Sequence, residues 1–239
     1  MKHEDIKTGS LATNRDLETW AMQLTDTPVH RRRLVQGVGV NDMAGSTRQV
    51  DGKQQNHPCY QSWSNLLERT YCPKFKERRS QRYADIADDW KTLSGFYAWW
   101  LQQPYYPGGN LDSDLLSAAH GLPKAYTPET ACYVPARINT LLCANGKSRG
   151  ELPQGVTRNG KGYIAKLDKG PEGKWHSRTT HDLAEALDFY WKQKFYYALT
   201  TAYDLLEGND QRDDLMVGVK ETLRAQHDES LLHLHRLTQ

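Results

Sequence analysis

An α+β fold is predicted by two features of the sequence. In the first half, amphipathic segments that begin on aromatic residues alternate with short, turn-bounded β-prone runs. In the second half, three short β-prone runs separated by glycines precede two long segments with helical apolar spacing. Ala144 to Gly150 is the best candidate boundary, giving domains at 1–143 and 151–239.

In chain order, Leu17, Trp20, Ala21 and Leu24 lie on one stripe and predict a helix over Leu11 to Leu24. Leu34 to Val40, then the turn residues Asn41, Asp42 and Gly45, then Thr47 to Val50, predict a hairpin, with 51–58 an exposed polar loop. Tyr60, Trp63, Leu66, Leu67 and Tyr71 repeat the spacing of Trp90, Leu93, Phe96, Tyr97 and Leu101, so two amphipathic helices are expected with these side chains in the core. Leu111 to Leu116 reads as a short strand and Val134 to Leu142 as a short helix. Val156 to Thr157, Gly162 to Asp168 and Lys174 to Arg178 read as strands. A helix capped at Thr179-Thr180 should run to Gly208, and another should cover Asp210 to His235.

Hydrophobic residues make up 38% of the 239, below the globular norm, while seven Trp and thirteen Tyr supply large buried areas that offset the shortage of aliphatics. The formal charge of +2 is uneven. Arg31 to Arg82 holds eleven basic and four acidic residues, a net +7, which leaves −5 for the rest. Such a segment attracts polyanions over a Debye length of about 8 Å, although a solvated basic face without a ligand has the same composition. No run approaches the ~18 apolar residues of a membrane span, and Met1 to Ser10 is polar, so no membrane partner is expected. Cys59, Cys72, Cys132 and Cys143 contain no Cys-x-x-Cys pair; reduced buried thiols are expected, with a four-Cys metal site the alternative. No phosphate-cradling glycine loop and no His pair at i, i+4 is present.

The string LDSDLLSAAHGLPKAYTPETACYVPARINTLL, Leu111 to Leu142, resembles phage proteins of the HNH endonuclease type, with their LD-x-D-LL strand, Y-[ST]-P-E-T loop and V-P-x-x-I-N helix. YQSWSNLLERTYCPKF and DDWKTLSGFYAWW are similar to two helices of the same proteins, so the likeness spans Gly37 to Leu142. The segment from LPQGVTRNGKGYIAKLDKG to the helix after Thr180 resembles the ethylene-response-type DNA-binding domain that such nucleases often carry.

These resemblances imply an HNH-like ββα unit, a C-terminal sheet laid against double-stranded DNA, and a cytoplasmic location in a bacterial host cell. HNH chemistry uses a divalent ion, Mg²⁺ or Mn²⁺, to stabilise charge on the scissile phosphate and a His to activate water. Asp112 stands at the family's metal-binding Asp, Asn139 at a second ligand position, and Asp114 is either a third ligand or a hydrogen-bonding strand residue. Ser113 stands where active members have the His base; His120 is the nearby substitute or an ordinary loop residue. Lys74, Lys76, Arg78 and Arg79 are expected to contact phosphates. In the sheet the candidates are Arg158, Lys161, Lys166, Lys174, Trp175 and Arg178, with Tyr163, Ala165 and Leu167 on the opposite face from Ile164 and Lys166. The alternative is an inactive scaffold that binds a host or phage protein. The C-terminal helix either closes the core or pairs two copies.

Overall fold

The computed structural model describes residues 20–25, 34–74, 86–104, 106, 108–142, 151–170 and 173–239. They form helices and small sheets in an α+β arrangement of two compact units, one within 20–117 and 121–133, the other within 118–120 and 134–239.

In the first unit, β1 (Gln23–Leu24) pairs antiparallel with β2 (Met43–Ala44), and β3 (Thr47–Val50) with β4 (Lys53–Asn56). Two expectations are corrected here. The helix expected through Leu24 gives way to a strand at Gln23–Leu24, its earlier residues lying outside the described ones. Leu34 to Val40 does not pair with Thr47 to Val50: Val35 bridges Gly39 in a tight loop, Val40 bridges Thr92, and the strand partner comes from the presumed loop. Asp51 and Gly52 have φ of 49° and 72°, the two left-handed residues of a type I′ hairpin turn, for which Asp-Gly is a preferred pair.

Helix α1 (Pro58–Tyr71) starts at Pro58, where a missing N–H costs nothing, with His57 Nδ1 accepting the Cys59 amide at 3.1 Å. Its Trp63, Leu66, Leu67 and Thr70 fall on one buried stripe. A 3₁₀ turn over Asp88–Lys91 leads into α2 (Leu93–Trp100). The Trp63 indole donates to the Trp90 carbonyl at 2.7 Å, and Trp90 meets Phe96 edge-on and lies 4.5 Å from Trp99. Trp63, Leu66, Leu67, Trp90, Leu93 and Phe96 are buried as the spacing predicts, and Met22, Met43, Ile86, Tyr126 and Tyr133 join them; Leu101, expected in the core, is the C-cap of α2 and is exposed.

β5 (Asn110–Asp112) pairs with β6 (Cys132–Val134), separated by α3 (Asp114–His120) and a loop; α4 (Ala136–Leu142) follows β6. The strand expected over Leu111 to Leu116 therefore stops at Asp112, and the helix expected from Val134 starts two residues later.

In the second unit, β7 (Val156–Asn159), β8 (Gly162–Gly170) and β9 (Gly173–His176) make an antiparallel sheet with β8 in the centre. Helix α5 (Leu183–Leu205) packs on the sheet. Its cap is Asp182, whose carboxylate accepts the Ala184 amide at 2.8 Å, rather than Thr179-Thr180. A six-residue connection leads to α6 (Arg212–Thr238). The helices run antiparallel, with Trp191 and His227 rings 5.4 Å apart and Lys194 Nζ 3.4 Å from Gln226 Oε1. Gln226 also donates to the Leu142 carbonyl at 2.7 Å, tying α4 to the pair.

Candidate functional site

Asp112 ends β5 and its Oδ1 accepts the amides of Asp114 at 2.9 Å and Leu115 at 3.0 Å. It thereby satisfies two of the N–H groups that open α3, a capping role that also suits the positive end of a helix. Burial pushes its carboxyl up to about 6, with the charge of Asp114 adding to the rise; the Leu115 and Asp114 amides and Lys124 oppose it. Cys132 on the neighbouring strand points its thiol at the Asp112 carbonyl, 3.8 Å away. Burial raises the thiols of Cys132 and Cys59 well above their ordinary range. Cys143 lies outside the described residues.

Asp114 faces Lys124, with Nζ 2.9 Å from its Oδ1. An ammonium there competes with any divalent cation for the same oxygen. Ser113 is 2% exposed and its hydroxyl has no hydrogen-bond partner among the described residues. His120 closes the far end of α3, six residue steps and about 9 Å of helical rise from Asp114 at its start. Its Nε2 lies 3.6 Å from the Asp214 carboxylate. Asn139 is half-buried on α4, in the other unit from Asp112. Among the described residues no three His, Cys, Asp or Glu side chains gather as a metal ion would require. As they stand, the donors at Asp112 and Asp114 do not fit a divalent ion.

The sheet is better equipped. Directly opposed residues of an antiparallel pair share a face. Val156 opposes buried Ala165, Arg158 opposes Tyr163 and Trp175 opposes Leu167, so these six share the Ala165 face. The Arg158 guanidinium lies 5.4 Å from the Tyr163 ring centroid, consistent with that assignment. Lys166 opposes His176 on the outer face, and Lys174, two residues before His176, joins them. All three are exposed. Lys161 is exposed in the two-residue turn between β7 and β8.

Of the six sheet residues singled out from the sequence, Lys166 and Lys174 thus lie on the outer face and Lys161 at its rim. Arg178 is turned to α5, paired with Glu185 at 2.9 Å and 5.5 Å from the Phe189 centroid. In the first unit Lys74 is exposed just after α1, whereas Lys76, Arg78 and Arg79 lie outside the described residues. His176 was not singled out as a contact; its register opposite Lys166 is the signal that alternation along β8 and β9 carries. On α6, Leu215, Val219 and Leu223 are buried, while Leu231, Leu232 and Leu237 are exposed near its end. No helix among the described residues is long and apolar enough to cross a membrane.

No family model, no curated protein and no solved structure matches the chain.

Proposed function

We propose that the chain binds duplex DNA through the outer face of β7–β9. The observation that carries this reading is the juxtaposition of Lys166, His176 and Lys174 on one exposed sheet face, with Lys161 at its edge and α5 packed on the sheet. Lysines on a rigid sheet pair with phosphates as point charges and release condensed counterions, which gives affinity without demanding a sequence. The net +7 of Arg31 to Arg82 adds long-range attraction for the same polyanion.

The test is a titration of labelled duplex at several salt concentrations. The expected result is affinity that falls steeply between about 50 and 200 mM salt. Binding that is absent at low salt, or insensitive to salt, contradicts the reading and leaves a protein-binding scaffold as the better account.

A second reading adds cleavage of the bound DNA at Asp112 with Mg²⁺ or Mn²⁺. It is favoured by the order strand, helix, loop, strand, helix over 110–142 with Asp112 at the first strand's end, in which β5, β6 and α4 keep the strand, strand, helix succession that the likeness to HNH proteins implies, with α3 inserted. It requires Lys124 to release Asp114. Supercoiled-plasmid nicking that depends on Mn²⁺ and disappears in Asp112→Asn supports it; intact plasmid beside normal duplex binding leaves a binder alone.

A further inference from the structure

The hairpin β3–β4 is an unusual element to find in the folded part of a chain. Seven of its eight strand residues are exposed, and Val50, the exception, is only half-buried. Two-stranded ribbons gain little stability in isolation and ordinarily bury one face. This one is held by its Asp51-Gly52 turn and at its base, where the His57 amide donates to the Ser46 carbonyl at 2.8 Å. The Asn56 side-chain Nδ2 donates to Gln61 Oε1 of α1 at 2.7 Å, a further tie to the helix.

Register sorts its side chains into two faces. Thr47 opposes Asn56 and Gln49 opposes Gln54, so one face carries a hydroxyl and three carboxamides. Arg48 opposes Gln55 and Val50 opposes Lys53 on the other. The Arg48 guanidinium lies 4.0 Å from the Trp20 ring centroid, a stacking contact that fixes its plane and leaves its N–H edge able to donate. Two cations against the single Asp51 give the ribbon a positive balance.

The geometry points to a second contact with DNA: we infer that the Thr47–Asn56 ribbon enters the major groove and reads bases there. A major groove about 12 Å wide admits a two-stranded ribbon, and four residues per strand give a blade roughly 13 Å long. Gln and Asn match the paired donor and acceptor on adenine's major-groove edge, and Arg matches the two acceptors of guanine. Gln49 and Gln54 on the carboxamide face read bases; Arg48 and Lys53 on the other face supply charge. Base contacts specify where phosphate contacts only position, and the ribbon's carboxamides serve the first task. This inference rests on duplex DNA being the partner.

The experiment selects binding sites from a random duplex library with the full chain, then repeats the selection with Gln49→Ala/Gln54→Ala and with Gln49→Thr/Gln54→Thr. The threonine pair keeps β propensity, so a loss common to both variants is not a loss of the hairpin. The wild type should enrich a short motif that both variants fail to discriminate, losing about tenfold in preference over scrambled duplex while keeping their non-specific affinity. Replacing purines of the motif by 7-deazapurines, which removes the N7 acceptor from the major groove, should weaken the wild type about tenfold and leave the variants almost unchanged. Variants that enrich the same motif with the same discrimination overturn the ribbon's role and leave DNA binding standing. Displacement by a minor-groove drug, or indifference to 7-deazapurines, overturns the groove assignment. A wild type that binds no duplex overturns both this inference and the functional reading beneath it.

Discussion

The ring of His57 is enclosed by Trp20, Tyr97 and Trp100 while its Nδ1 accepts the Cys59 amide, so protonation would remove both the ring's apolar fit and the helix cap. Burial lowers its pKa from the ordinary 6.5, and nearby Arg48 adds to the fall, against an opposing hydrogen bond with the Trp20 backbone. Above 6.5 neither the folded nor the unfolded ring is charged, and the neutral cap contributes fully. As pH falls through that value the unfolded chain takes up a proton that the folded ring resists, and stability declines. Urea denaturation between pH 7 and 5 should therefore show a falling midpoint that is flatter in His57→Asn, which keeps a capping oxygen and cannot titrate. Equal slopes would contradict the assignment. Ser113 makes a second case at this scale. Restoring a His there looks, from the sequence, like the way to revive an HNH base; Ser113 is 2% exposed, so a larger imidazole has to displace the residues that enclose it. Ser113→His should destabilise the fold by about 1–3 kcal/mol from overpacking, read as a lower thermal midpoint. A variant that is as stable as the wild type and nicks plasmid faster would contradict this.

At the scale of elements, helices α1, α2, α5 and α6 and the sheet of the second unit were legible, and the short strands of the first unit mostly were not. α1, α2, α5 and α6 repeat an apolar stripe over two or more turns, and that period survives any detail of packing. β3 was expected as a strand, but β4 is polar on both faces and fell in the expected loop; the Asp51-Gly52 turn is the signal that pairs the two. Leu111 to Leu116 misled for the opposite reason: its apolar residues suggest one strand, but the Asp-Ser-Asp inside it is helix-start chemistry, and Asp112 uses its carboxylate to cap α3. The sheet of the second unit was legible because glycines separate its strands, although the outward direction of His176 needed the register. The junction of that sheet with α5 yields a sharp expectation. Gly155 has φ of 78°, and a Cβ there would overlap the Tyr190 ring on α5. Gly155→Ala combines a left-handed backbone penalty of roughly 1 kcal/mol with a displaced aromatic ring, so a loss of about 2–4 kcal/mol is expected in urea denaturation. A change under about 0.5 kcal/mol would mean that Tyr190 does not pack as described.

For the whole molecule, the proposed reading is that the chain holds DNA, with cutting a second reading. The sequence resemblance brought Asp112, Asp114, Asn139 and His120 together as one catalytic set because it orders residues along a chain. In three dimensions Asp112 caps a helix, Asp114 is paired with Lys124 and His120 faces Asp214. The same resemblance grouped six sheet residues, of which Lys166 and Lys174 lie on the outer face; backbone register, invisible in a list of residues, decides this. The most direct measurement is a pair of salt titrations of duplex affinity, for the wild type and for Lys161→Ala/Lys166→Ala/Lys174→Ala. If the sheet face is the anchor, the slope of log affinity against log salt should become shallower by about 2–3 in the triple variant, close to 0.9 for each phosphate contact removed, with affinity lost alike for every sequence. An unchanged slope and affinity in a folded triple variant would contradict the account.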